Sequence, residues 1–143
     1  MTRVRPYQII LDTNVILSGL RSNQGASFQL LDRLPDPAWQ LNLSVQLVLE
    51  YEEVIKRETH MSAQAVDGFI RFLCSIGNKR FNRYFVWRPV ARDPDDEFII
   101  DLAIQSRADI IVTFNISHLA PARQFGIHIM KPKEFLRLLE DEQ

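Results

Sequence analysis

The sequence predicts a single α/β domain, residues 1–143, with a central, mostly parallel sheet of about five strands flanked by helices. Three observations carry that expectation. Short runs of strand length, residues 7–11 (YQIIL) and 109–114 (DIIVTF), are apolar at consecutive rather than alternate positions, the pattern of strands buried on both faces. Segments of helical periodicity separate such runs, and that alternation is the signature of a parallel sheet with crossover helices. A chain of 143 residues, 46% hydrophobic and 24% charged, has the composition of one compact domain. It can bury roughly 70% of its unfolded surface without disulfides or a structural metal.

The elements follow in order. The first strand ends abruptly at Asp12, and a helix follows it until Asn23, Gln24 and Gly25 interrupt. Residues 26–34 make a second helical stretch that Pro35 and Pro37 close. Residues 39–43 (WQLNL) alternate as a strand, and Ser44 suits the N-cap of a helix reaching about Arg57. Ser62 caps another helix, which runs to Ile76 with Gly77 as its glycine C-cap. Residues 84–90 read as extended, with Pro89 arguing against a helix. Asp93 and Pro94 open a helix to about Arg107, followed by the DIIVTF strand, a last strand at 126–130 and a closing helix at 132–140. In such a fold, ligands bind outside the carboxyl ends of the strands.

The remaining composition narrows the functional classes. Cys74 is the sole cysteine, so no disulfide forms within the chain, and a reducing, cytoplasmic location is expected. Residues 1–7 carry two arginines without an apolar core, and no run approaches ~18 apolar residues, so neither a signal peptide nor a membrane span is expected. A formal net charge of −1 argues against coating nucleic acid by bulk electrostatics and leaves local basic patches.

The acids are the candidate chemistry. Asp12 sits where a strand ends, and two readings stand: the N-cap of the next helix, or a carboxylate presented at the rim of the sheet. Glu50 borders the apolar face formed by Leu47, Val48, Tyr51, Val54 and Ile55, where it is either solvated or part of a site. Residues 93–97 (DPDDE) gather four acids around one helix start, as the helix dipole alone would favour. Asp96 is the exception among them, projecting about 60° from Ile99 and toward the side shared with Ala103, so that its carboxylate needs a partner. No lysine or arginine occupies an obvious neighbouring position, and gathered carboxylates repel unless a cation is bound. Mg²⁺ or Mn²⁺ suits ligands of oxygen alone. Asn14 and Ser18, four apart, share one helix face, whereas Thr113 and Asn115 close the DIIVTF strand as rim or turn residues.

Taken in order, the segments LDTNVILSGL, LVLEYEEVI, DPDDEFIIDLAIQSRADIIVTFNISHL and GIHIMKPKEFL resemble the PIN-domain nucleases, and within them the VapC-like toxins of bacterial toxin-antitoxin pairs. The resemblance covers nearly the whole chain, residues 58–92 being its least distinctive stretch. It implies a metal-dependent endoribonuclease in which Asp12 and Asp96 bind Mg²⁺ or Mn²⁺ directly. Glu50 would hold a metal water or take its proton, and Asn14 and Asn115 would fix the surrounding hydrogen bonds. An antitoxin protein and a homodimer are implied with it. The chain departs from the commonest family pattern after the strand, where Asn115 and Ser117 stand in place of frequent acids. An amide brings no negative charge, so a second metal is expected to bind more weakly.

Arg80, Arg83, Arg88 and Arg92, with Lys79, occur without an acid between Gly77 and Arg92 and are interleaved with Phe81, Tyr84, Phe85 and Trp87. That stretch reads as an RNA-facing patch, since basic groups track phosphates and aromatics stack on unpaired bases, or as a solvated loop with core aromatics. His60, His118 and His128 show no zinc spacing and are read as structural. An aspartyl-phosphatase reading needs DxD where this chain has DTN. A binding module that kept the fold and lost its chemistry, or an RNA-processing nuclease without a toxin role, are the remaining alternatives.

Overall fold

The computed structural model describes residues 5–79 and 94–142, with Lys79 and residues 94–97 described in their backbone alone. Five parallel strands make one sheet: β1 (Tyr7–Leu11), β2 (Trp39–Leu43), β3 (Asn78–Lys79), β4 (Ile110–Val112) and β5 (His128–Met130), in the order β3-β2-β1-β4-β5. Helices α1 (Thr13–Arg21) and α2 (Ala26–Asp32) follow β1, and α3 (Val45–Glu58) and α4 (Ala63–Ile76) follow β2. α5 (Pro94–Ser106) leads into β4, α6 (Ile116–Leu119) and a 3-10 helix (Ala120–Phe125) lead into β5, and α7 (Pro132–Asp141) closes the chain.

The apolar run of β1 makes it the central strand. Ile9, Ile10 and Leu11 are all wholly buried, so both faces of the sheet are covered there. Register pairs Ile9 with Leu41 on one side and with Ile110 on the other. The predicted caps form: Ser44 accepts from the Leu47 N–H at 3.2 Å and Ser62 from the Ala65 N–H at 3.1 Å. α7 docks Phe135 edge-on against Tyr7 and Trp39, with ring centroids 6.3 and 5.3 Å apart, tying the end of the chain to the start of β1 and β2.

Several boundaries differ from the sequence expectation. α2 stops at Asp32, two residues early, with Arg33 as its C-cap and Pro35 close behind. β4 and β5 are three residues each, shorter than the apolar runs that announced them, although the ladder continues as Thr113 N–H donates to the Met130 carbonyl. β3, α6 and the 3-10 helix were not anticipated. Gly77 does end α4, but its φ of −81° is open to any residue. A Cβ there would lie 2.4 Å from Leu43 Cδ1 and 2.9 Å from the Leu73 carbonyl oxygen, so close approach, rather than handedness, asks for glycine. α5 departs from amphipathic patterning: Ile99, Ile100, Asp101, Leu102 and Ala103 are buried in succession, so the helix is enclosed around its whole girth. The extended stretch expected at 84–90 and the Asp93 cap lie outside the described residues. No described helix is long and apolar enough to cross a membrane.

Candidate active site at the carboxyl ends of β1 and β4

Strand order reverses between β1 and β4: the chain moves outward from β1 through β2 to β3, then returns to β1's other side for β4 and β5. Connections therefore leave those two strands in opposite directions, opening a crevice at their carboxyl ends, where doubly wound folds bind ligands. Asp12 immediately follows β1, and Thr113 immediately follows β4.

Asp12 is both of the things its position allowed. Its backbone is extended and caps α1, with Oδ1 accepting from the Thr13 N–H at 2.8 Å, while Oδ2 accepts from the Thr113 hydroxyl at 2.7 Å. The residue is 8% exposed. Burial raises its pKa above the ordinary carboxylate value, against the opposing pull of the Thr113 hydroxyl, the Thr13 N–H and the charge of His118. Thr13 also donates its hydroxyl to Glu50 Oε2, so one residue joins the two carboxylates through its backbone and its side chain. Tyr51, wholly buried beside Glu50 on α3, donates its hydroxyl to the Leu11 carbonyl. Its pKa is held well above that of an ordinary phenol by burial and then by the charges of Asp12 and Glu50, which marks a shared negative potential at this corner of the fold.

The amides gather at the same place. Asn14 Oδ1 lies 3.5 Å from the Phe114 N–H, a long contact that spans from α1 to the turn after β4. Asn115 donates its backbone N–H to the Thr113 hydroxyl at 2.9 Å and occupies the N-cap position of α6 with its side chain exposed. Thr113 is therefore a relay, accepting from Asn115 and donating to Asp12.

Asp96 lies in the first turn of α5, and its side chain is outside the description. Arg80, Arg83, Arg88 and Arg92 lie outside the described residues, so the basic patch is not placed. Sequence reasoning missed two neighbours of Asp12: Thr13 was visible only as the middle of DTN, and the effect of the His118 charge on Asp12 has no signal in the histidine spacing.

Among the described residues, no three His, Cys, Asp or Glu side chains converge as a metal site. The donors present nonetheless suit a hard cation. Asp12 and Glu50 offer oxygen alone, each Asp12 oxygen has one donor among the described residues, and burial raises the Asp12 pKa.

Residues 8–117, from the start of β1 into α6, match the sequence profile of the PIN domain. The chain belongs to the PIN domain family. That span includes Asp12, Asn14, Glu50, Asp96 and Asn115. PIN domains are generally nucleases, hydrolases of phosphodiester bonds. The fold is similar to that of VapBC-1 from nontypeable Haemophilus influenzae, at 16% identity and a TM-score of 0.62, covering 88% of this chain and 98% of that one. It is similar also to FitAcB from Neisseria gonorrhoeae, at 18% identity and a TM-score of 0.56 over 87% of this chain and 98% of that one. FitAB bound to an IR36 DNA fragment shares it at 18% identity and a TM-score of 0.60, over 87% and 94% of the two chains. No curated protein matches the chain in sequence. The matched span ends at residue 117, before α7, and Phe135 of α7 is wholly buried in the same core.

Proposed function

We propose that this PIN domain is a metal-dependent endoribonuclease acting as the toxin of a toxin-antitoxin pair. The observation that carries the reading is Asp12, a desolvated carboxylate at the strand-order reversal, joined through Thr13 to Glu50 and through Thr113 to the Asn115 backbone. Asp12 and Asp96 would hold Mg²⁺ or Mn²⁺, with Glu50 beside them. A divalent cation bound there supplies positive charge for the phosphoryl oxygens and acidifies the attacking water. Glu50, half-buried and hydrogen-bonded by the Thr13 hydroxyl, would take the proton that the attacking water releases. Thr13 and Thr113 hold Asp12 in one orientation, so little reorganisation accompanies the reaction. Asn115 would orient water or substrate without adding charge, so a second metal would bind more weakly than the first. In-line attack by water on phosphorus leaves a 5′-phosphate and a 3′-hydroxyl. Arg80, Arg83, Arg88 and Arg92 supply the phosphate contacts in this reading, and an antitoxin protein would compete for them. The protein would act in the cytoplasm as a homodimer.

Incubating the purified chain with single-stranded RNA and with single-stranded DNA of the same sequence, in Mg²⁺, in Mn²⁺ and in EDTA, tests the substrate and the cofactor together. RNA fragments bearing 5′-phosphates, formed only with a divalent cation, are expected. Cutting of DNA in preference to RNA, or cutting that persists in EDTA, would overturn the assignment. The toxin role predicts growth arrest on induced expression, relieved by the product of an adjacent small gene.

A further inference from the structure

The opposite end of the sheet carries a second polar cavity. Its volume is about 460 Å³, within the range of small-ligand sites, and it is lined by Arg5, Gln8, Asn78, Ser106, Arg107 and Asp109. Gln8 belongs to β1 and Asn78 opens β3, while Ser106 ends α5 and Asp109 directly precedes β4, so the cavity lies at the amino ends of strands whose carboxyl ends carry Asp12. It is separate from the site described above.

The lining is built rather than incidental. Asn42, wholly buried, donates to Gln8 Oε1 at 3.0 Å and accepts from Asn78 Nδ2 at 2.9 Å, which fixes both cavity amides across three strands. Gln8 then keeps its own amide donors for another partner. Asp109 accepts the Gln8 backbone N–H at 2.7 Å through Oδ2. Ser106 is 6% exposed, and its buried hydroxyl has no hydrogen-bond partner among the described residues.

Arg107 adds the second sign. α5 ends in a Schellman turn, with Ala108 N–H donating to the Ala103 carbonyl at 2.9 Å and Arg107 N–H to the Ile104 carbonyl at 3.2 Å. The residue at the left-handed position of such a turn is ordinarily glycine, whereas here it is Arg107 at φ 53°. An arginine held there at a backbone cost points its chemistry at the cavity it lines. Neither Arg5 nor Arg107 has an ion-pair partner among the described residues, so two guanidinium groups face one carboxylate.

We propose that this cavity binds a nucleoside 5′-monophosphate, with Arg5 and Arg107 on the phosphate, Gln8 and Asn78 on the edge of the base, and Asp109 accepting from a ribose hydroxyl. Two guanidinium groups without an ion pair among the described residues select an oxyanion. Paired amides offer donors and acceptors together, as a heterocycle edge requires. The inference stands apart from the nuclease reading, since it uses none of the same residues.

Isothermal titration in EDTA tests it without reference to catalysis, using AMP, GMP, CMP and UMP in turn, with adenosine and inorganic phosphate as probes of each half. Saturable one-to-one binding of at least one nucleotide is expected, with adenosine and phosphate each weaker by about tenfold or more. The Arg5→Gln/Arg107→Gln double variant, altered only at exposed side chains, should weaken that binding by about tenfold or more, and Asp12→Asn should leave it unchanged. Absence of saturation by all four nucleotides up to about 10 mM would overturn the proposal. So would phosphate alone binding as well as the nucleotide, unchanged affinity in the double variant, or loss of binding in Asp12→Asn.

Discussion

At the scale of single residues, the account turns on a charge kept in a poor solvent. Burial raises the Asp12 pKa, so at neutral pH the folded protein carries a carboxylate that its surroundings do not fully compensate. The sign follows from proton linkage: where the folded state binds the proton more tightly than the unfolded state, stability falls as pH rises from the unfolded value of 3.8 through the higher folded one. In EDTA at pH 7, Asp12→Asn should therefore melt at a higher temperature than wild type, because asparagine still caps α1 and carries no charge. The difference should shrink as the pH falls toward 4 and below, a trend that melting curves across pH would reveal. Added Mg²⁺ or Mn²⁺ should raise the melting temperature of wild type and not of the variant. Thr113→Val removes the hydroxyl that Asp12 accepts from, and should destabilise the metal-free protein by about 1–2 kcal/mol in urea denaturation. The same variant should weaken cation affinity by about 10-fold to 100-fold, measured by titration. Asp12 was legible in the sequence because a strand ended on it. Its partner Thr113 stands 101 residues away, and no local periodicity reports a hydrogen bond of that span.

At the scale of elements, legibility followed length and pattern. Gly77→Ala should cost about 1–3 kcal/mol in urea denaturation, since the new methyl must displace Leu43 or the Leu73 carbonyl. A substitution tolerated without loss would show that the α4 end relaxes freely. The sequence reading of Gly77 as the C-cap of α4 holds, whereas the close approach of Leu43 that asks for glycine there is invisible in composition. Strand β1 was readable from its apolar run, β2 from its alternation, and the capped helices α3 and α4 from the serines at their starts. β3, α6 and the 3-10 helix were not, having two, four and six residues, too few for a period to repeat. α5 was readable as a helix from Pro94 onward, whereas its enclosure on every side at residues 99–103 has no counterpart in helical phase. The site was thus legible as a set of residue types at strand ends, and illegible in the threonines that bind those residues together.

At the scale of the molecule, the order β3-β2-β1-β4-β5 turns separate sequence motifs into one site, because the reversal sets the ends of β1 and β4 side by side. The rigidity of that arrangement depends on residues outside the matched PIN domain. Phe135→Ala, which empties the wholly buried contact of α7 with Tyr7 and Trp39, should destabilise by about 3–5 kcal/mol in denaturant titration. Cleavage below the lowered melting temperature should survive it, separating support of the fold from chemistry. The most direct test of the central claim is single-turnover cleavage of a labelled single-stranded RNA in Mn²⁺ by wild type, Asp12→Asn and Asp96→Asn, each confirmed folded by its melting curve. The account predicts cutting by wild type and a loss of about 100-fold or more in each variant. Equal rates in all three proteins, or no cutting by any of them in either metal, would contradict it and leave a PIN fold that binds without catalysing.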